Sequence, residues 1–172
     1  MKMRIAQLLP SPLVLAGWLI LSAACAAPTT AMASSTDVAK PMPWDYFCRL
    51  QFDLAQRTDM ESFRDYDADT FRAGHTDDAV TVFSSGAVRY GIDAIMQALA
   101  SHFSGREAIW EWTELSRSVN GCKTAYILYE THYRIPRINL DIHALTGVTY
   151  TYRHGLWLAV ADQGTQLPDP AP

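Results

Sequence analysis

Apolar residues recur at helical spacing in the first part of the chain and alternate with polar ones in the last. Residues 44–66 read as a helix: Phe47, Leu50 and Leu54 fall on one stripe, and Asp45 stands where it can cap the start. The stripe fades over 56–61, where a bend or break is expected. Residues 67–75 read as a second, short helix, with Asp67 and Asp69 at its positive end. Residues 79–83 alternate and are β-branched, Ser84-Ser85-Gly86 turns the chain, and 87–90 return. Residues 91–103 form a third helix with Ile92, Ile95, Met96, Leu99 and Phe103 on one face, ended by Ser104-Gly105. From there the pattern is β. Residues 109–119 and 122–134 are long alternating strands around Asn120-Gly121, a strong two-residue hairpin signal. Pro136 breaks the second strand or marks an edge, and 147–152 pair with 156–162 around His154-Gly155. Three helices followed by a curved antiparallel sheet make an α+β chain, and 172 residues suit one domain.

The ends fall outside that pattern. Residues 1–33 have the make-up of an export signal: Lys2 and Arg4 precede an apolar run at 13–27, short for a membrane span. Ala31-Met32-Ala33 then offers small residues where a signal peptidase reads. Cleavage before Ser34 is the expectation. A lipoprotein signal around Leu21-Ser22-Ala23-Ala24-Cys25, anchored at Cys25, is the alternative, and a retained anchor helix is a third. Residues 34–43 read as a flexible leader, 44–165 as the domain, and 166–172, with three prolines, as a disordered tail. Loss of Lys2 and Arg4 leaves 12 basic against 18 acidic residues, so the formal charge goes from −4 to −6. No basic run marks a nucleic-acid surface. Periplasmic or secreted placement would leave Cys48 and Cys122 in an oxidising compartment, where one disulfide is the candidate and two separate buried thiols the alternative.

Three passages in order are similar to a known family. DYDADTFRAGHTDDAV (65–80) resembles the "GD…DDAV" signature of the nuclear transport factor 2-like superfamily, SnoaL-like branch. SGAVRYGIDAI (85–95) is similar to its hairpin-to-helix passage, and HGLWLAVADQGT (154–165) to its closing strand. Tyr66 replaces the family's usual glycine, and 135–145 look like an insertion. The resemblance implies a cone: a curved antiparallel sheet wrapped around three N-terminal helices, with an internal apolar cavity. Members bind small hydrophobic molecules there. Some isomerise, cyclise, dehydrate or hydrolyse them, and others only bind, or dimerise through the sheet. The base carboxylate of the ketosteroid isomerase members falls on Phe83, which takes no proton, and their first-helix tyrosine falls near Asp59.

A two-residue turn at Asn120-Gly121 would set facing residues whose numbers sum to 241. Trp112 then faces Tyr129, Trp110 faces Thr131, Glu111 faces Glu130, and Ile109 faces His132. Glu111 and Glu130 inside a cavity would share a proton and, with His132 beside them, make an acid–base unit; on a wet face they would do nothing. The opposite face carries Trp110, Trp112, Tyr129 and Tyr133, which fit core and cavity wall, a dimer face, or open surface. Only one face can look into the cone. The candidate catalytic residues are therefore Glu111, Glu130, His132 and Asp59, and the candidate ligand-binding residues Trp110, Trp112, Tyr129, Tyr133 and Phe83. Arg134, Arg137, Tyr150, Tyr152 and His154 would hold an anion if they gather, and Asp77-Asp78 read as structural turn acids. Metal-ligand spacing, CxxC, a phosphate loop and a nucleophile elbow are all missing, and no cofactor is expected. The functional expectation is an exported domain that binds a small apolar or aromatic ligand, as a homodimer. The alternatives are an isomerase, cyclase or hydrolase-type enzyme in the same cavity, and an assembly module with a filled cone.

Overall fold

The structure, a computed structural model, describes residues 43–168; the expected signal and most of the leader, and the chain end from 169, lie outside the described residues. Helix α1 (Pro43–Arg64) runs unbroken through the stretch where its apolar pattern fades. Gln56 and Asp59 within it, and Ser62 just after, are buried and paired. The Tyr129 hydroxyl donates to Gln56 and the Tyr150 hydroxyl to Asp59, both at 2.6 Å, and Ser62 Oγ donates to the Asp59 carbonyl at 2.8 Å. Gln56, Asp59 and Ser62 recur every three residues, so one helical face carries all three toward the sheet. Buried polar groups are tolerated when paired in this way.

Helix α2 (Ala68–Ala73) is capped by Asp67, whose carboxylate accepts the Thr70 N–H at 3.1 Å. Strand β1 (His75–Val82) begins four residues earlier than alternation predicts. Gly74 and His75 are drawn against the last strand, where the Ala159 N–H donates to the Gly74 carbonyl at 2.8 Å. Strand β2 (Val88–Tyr90) follows, and the expected third helix is two short ones, α3 (Ile92–Ala98) and α4 (Ala100–Gly105), meeting at Leu99. The rest is sheet: β3 (Ile109–Asn120), β4 (Thr124–Ile135), a 3-10 turn (Pro136–Ile138), β5 (Leu140–Arg153) and β6 (Leu156–Gln166). Residues 135–145 carry the β4–β5 connection, and β5 pairs with β4 from Leu140 opposite Ile135 onward. The strand order is β2-β1-β6-β5-β4-β3, antiparallel except that β1 lies parallel to β6. The six-stranded sheet is thus mixed and open, with the helices packed against it. Two residues expected in the disordered tail are ordered on the sheet: β6 reaches Gln166, and the Leu167 N–H donates to the His143 carbonyl at 2.8 Å.

The β3–β4 register differs from that of a two-residue turn. Asn120 pairs with Thr124, so the loop holds three residues, with Gly121 at φ +50. Its middle residue is Cys122, joined by a disulfide to Cys48 of α1 with the Cα atoms 5.4 Å apart. A bulge at Leu115 shifts the pairing again. Trp110 therefore faces Tyr133, Trp112 faces Thr131, Glu111 faces His132, and Glu130 faces Thr113. The Glu111–Glu130 pairing does not form.

Candidate functional site

The inward residues of the sheet and the helices above it enclose a cavity of about 290 Å³. This is the lower end of the ligand-pocket range, room for one or two rings. Most of the wall is apolar: Met60, Phe63, Phe71, Phe83, Leu99, Trp110, Ile142 and Val148 line it. Parity explains the sheet's share. Trp110, Tyr133 and Ile142 form one inward row across β3, β4 and β5, and Thr131 and Ala144 belong to the next.

Three titratable side chains share this wall: Asp59 from α1, His75 at the start of β1, and Asp162 in β6. Asp59 and His75 are each 7% exposed. Burial raises the Asp59 pKa, while the charge of His75 and the Tyr150 hydrogen bond pull it back. Asp162 is pushed up to about 6, again chiefly by burial, although Thr81 Oγ1 donates to it at 2.8 Å and His75 favours its charged form. Asp162 is half-buried by surface, and it lines the cavity. The ring of His75 is fixed by the backbone. Its Nδ1 lies 2.7 Å from the Phe71 carbonyl, an acceptor only, so Nδ1 carries the proton and neutral His75 presents a bare Nε2.

A second polar pair, His102 and Tyr133, lines the same cavity. His102 stacks on Phe63 with ring centroids 3.8 Å apart, and its Nε2 lies 2.8 Å from the Phe63 carbonyl. Burial lowers its pKa, which keeps it neutral. Among the described residues, no group of three or more His, Cys, Asp or Glu is placed to hold a metal ion.

The sequence-derived candidates divide sharply. Asp59 reaches the cavity, as do Phe83, Trp110 and Tyr133. Tyr129 is buried behind the wall on Gln56, and Trp112 packs beside the core under the Arg64 guanidinium. The aromatic band therefore faces inward. Glu111, Glu130 and His132 lie on the other side of the sheet, because strand parity allows only one set inside. There they form an outer network: Arg134 donates to Glu111 at 2.6 Å, His143 bonds Glu130 at 2.6 Å, and His132 bonds Asp141. An open depression of about 640 Å³ runs along their strands, but no acid–base unit faces the cavity from this set. The supposed anion cluster is split between opposite ends of the sheet. Arg134 and Arg137 pair with Glu111 and Glu107 at one end, and His154 is exposed in the β5–β6 turn at the other. Asp77 and Asp78 are exposed and outside the cavity.

His75 was hidden by its assignment to a helix end. Asp162 was hidden by a bulge: β6 slips between Ala159 and Ala161, so Trp157, Ala159 and Asp162 all share the inner face although their spacing is uneven. His102 carried no signal beyond lying in a helix.

No protein-family model matches the chain, and no curated protein matches it. Solved structures do. An NTF2-like protein of unknown function from Pseudomonas putida superposes with a TM-score of 0.63 at 16% identity, covering 74% of this chain and 98% of its own. An uncharacterized protein with a cystatin-like fold from Caulobacter vibrioides gives 0.59 at 14%, covering 72% and 92%. A putative calcium/calmodulin-dependent protein kinase type II association domain from Thiobacillus denitrificans gives 0.57 at 13%, covering 67% and 94%. With this architecture and these superpositions, the chain has the nuclear transport factor 2-like fold.

Proposed function

We propose that the cone binds a small, largely apolar molecule and transfers protons on it through Asp59, His75 and Asp162, as an isomerase, cyclase or hydrolase-type enzyme. One observation carries the reading: two carboxyls with raised pKa values and a histidine with a free nitrogen share a largely apolar cavity. Buried ionisable groups are costly to keep, and such clusters concentrate at functional sites. The roles follow from the proton positions. His75 Nε2 accepts a proton from a C–H or O–H of the substrate. Asp162, whose pKa of about 6 keeps part of it protonated near neutrality, donates one to the oxygen that leaves or gains charge. Asp59, held by the Tyr150 hydroxyl, stabilises the imidazolium that forms.

A second reading, binding without chemistry, draws on the Thr81–Asp162 and Tyr150–Asp59 hydrogen bonds, which give both carboxyls partners of their own. An assembly module fits less well. Its filled cone is at odds with a cavity of about 290 Å³, although one structural neighbour is described as an association domain. Export belongs to the proposal, with the Cys48–Cys122 disulfide in support. A homodimer also belongs to it, through a surface other than the aromatic band, and sedimentation equilibrium tests that point.

Native mass spectrometry of wild-type and Asp162→Asn protein, each purified from its own host, tests the central claim. An enzyme shows a molecule enriched in the variant and converted, on incubation, by the wild type alone. The same unaltered molecule at equal occupancy in both means binding only.

A further inference from the structure

The proton on Tyr133 can be placed by elimination. His102 Nε2 faces a backbone carbonyl at 2.8 Å, and a carbonyl only accepts, so Nε2 bears the hydrogen. Neutral His102 then has a bare Nδ1. The Tyr133 hydroxyl lies 3.2 Å from that nitrogen, and its single hydrogen must point there. What remains on the Tyr133 oxygen is lone pairs. The residue directly opposite, Trp110, lines the same cavity and carries a buried indole N–H with no partner among the described residues. The indole nitrogen has no accessible surface, so of this pair it is the Tyr133 oxygen, an acceptor fixed by His102, that is left for a ligand.

Resting on the reading of the cavity as a ligand site, we infer that it selects an apolar ring bearing a hydroxyl, which donates to Tyr133. Tyr133 is the specificity-determining residue. His102 is a positioning residue that makes Tyr133 an acceptor. The two histidines therefore differ in kind: His75 keeps its free nitrogen for the reaction, and His102 has its own occupied by Tyr133. Ligands whose only polar group is a carbonyl or ether present lone pairs to lone pairs and are rejected.

Three probes of similar shape separate these claims: para-cresol, which donates and accepts, para-tolualdehyde, which only accepts, and para-xylene, which does neither. Their binding to the folded wild-type protein is measured by ligand-observed NMR. The expected order places para-cresol about five- to tenfold tighter than the other two, the worth of one neutral hydrogen bond. Tyr133→Phe removes that preference, and His102→Phe, which releases the tyrosine hydrogen, improves para-tolualdehyde relative to para-cresol. Nitrogen-15 NMR of the wild-type histidines supplies a reading that needs no variant: His102 is expected protonated at Nε2 and bare at Nδ1. A wild type that does not prefer para-cresol, a preference that survives Tyr133→Phe, or a protonated Nδ1 overturns the inference while leaving the cavity a binding site. Failure of all three probes to bind overturns the cavity reading, and this inference with it.

Discussion

Asp162 carries a cost in stability that the proposed chemistry would explain. Its carboxyl titrates near 6 in the folded chain against an ordinary value of 3.8, so folding takes up a proton between those limits. Stability from this group is full below pH 4 and is lost as the pH rises through 6. Asp162→Asn removes the titration and leaves an amide that can still accept from Thr81. Urea unfolding at pH 8 is expected to find the variant about 1–2 kcal/mol more stable than wild type, a gain that shrinks toward zero at pH 4. A variant less stable than wild type at pH 8 would mean that the carboxylate is a structural anchor rather than a strained functional group. Tyr150→Phe probes the neighbouring acid. The lost hydrogen bond favoured the charged form of Asp59, so its pKa climbs further, and the unpaired buried carboxyl costs about 1–3 kcal/mol of stability. Carbon-13 NMR of the aspartate carboxyls follows the shift directly.

At the scale of elements, helix α1 shows what could and could not be read along the chain. Its extent is close to the expected one, but Asp45 lies inside its first turn rather than at its cap, and Phe47, Leu50 and Leu54 are exposed while Cys48, Phe52 and Met60 are buried. The fading of the stripe at 56–61 suggested a break, yet there the helix turns its polar residues onto Tyr129 and Tyr150. A one-dimensional pattern scores a buried hydrogen-bonded face and a solvent-facing stretch alike, so the site looked like a defect. The sheet shows the same limit. Strand positions were legible from alternation, and which face was aromatic was legible too. Register was not, because a three-residue loop and two bulges each shift parity without changing composition. The disulfide is what ties these elements together. It closes a loop of 74 residues' separation between α1 and the β3–β4 turn. Loop-closure entropy assigns it about 4 kcal/mol. Guanidinium unfolding of the Cys48→Ala/Cys122→Ala protein should lose most of that amount; a loss under 1 kcal/mol would show that packing of Phe52 and Trp157 already holds α1 to the sheet.

The whole molecule separates two surfaces that the sequence alone left interchangeable. One side of the sheet lines the apolar cavity, and the other carries Glu111, Glu130, His132 and their polar partners in water. A pair of substitutions, one on each side, therefore gives opposite outcomes. Ala144 is 4% exposed and lies on the cavity wall, so Ala144→Leu places its added carbons in space that is empty. Filling a void lacks the clash that makes overpacking costly in a dense core, so the melting temperature is expected to stay within a few degrees of wild type. The cavity, however, is at the small end for a ligand, and the loss of this volume should weaken para-cresol binding at least tenfold. Glu130→Gln on the outer face replaces the exposed carboxylate that bonds His143 with a neutral amide, a change worth no more than about 1 kcal/mol. It should leave both probe binding and turnover unchanged. If Glu130→Gln abolishes activity while Ala144→Leu preserves it, the working face of this protein is the outside of the cone, and Asp59, His75 and Asp162 are a buried structural network.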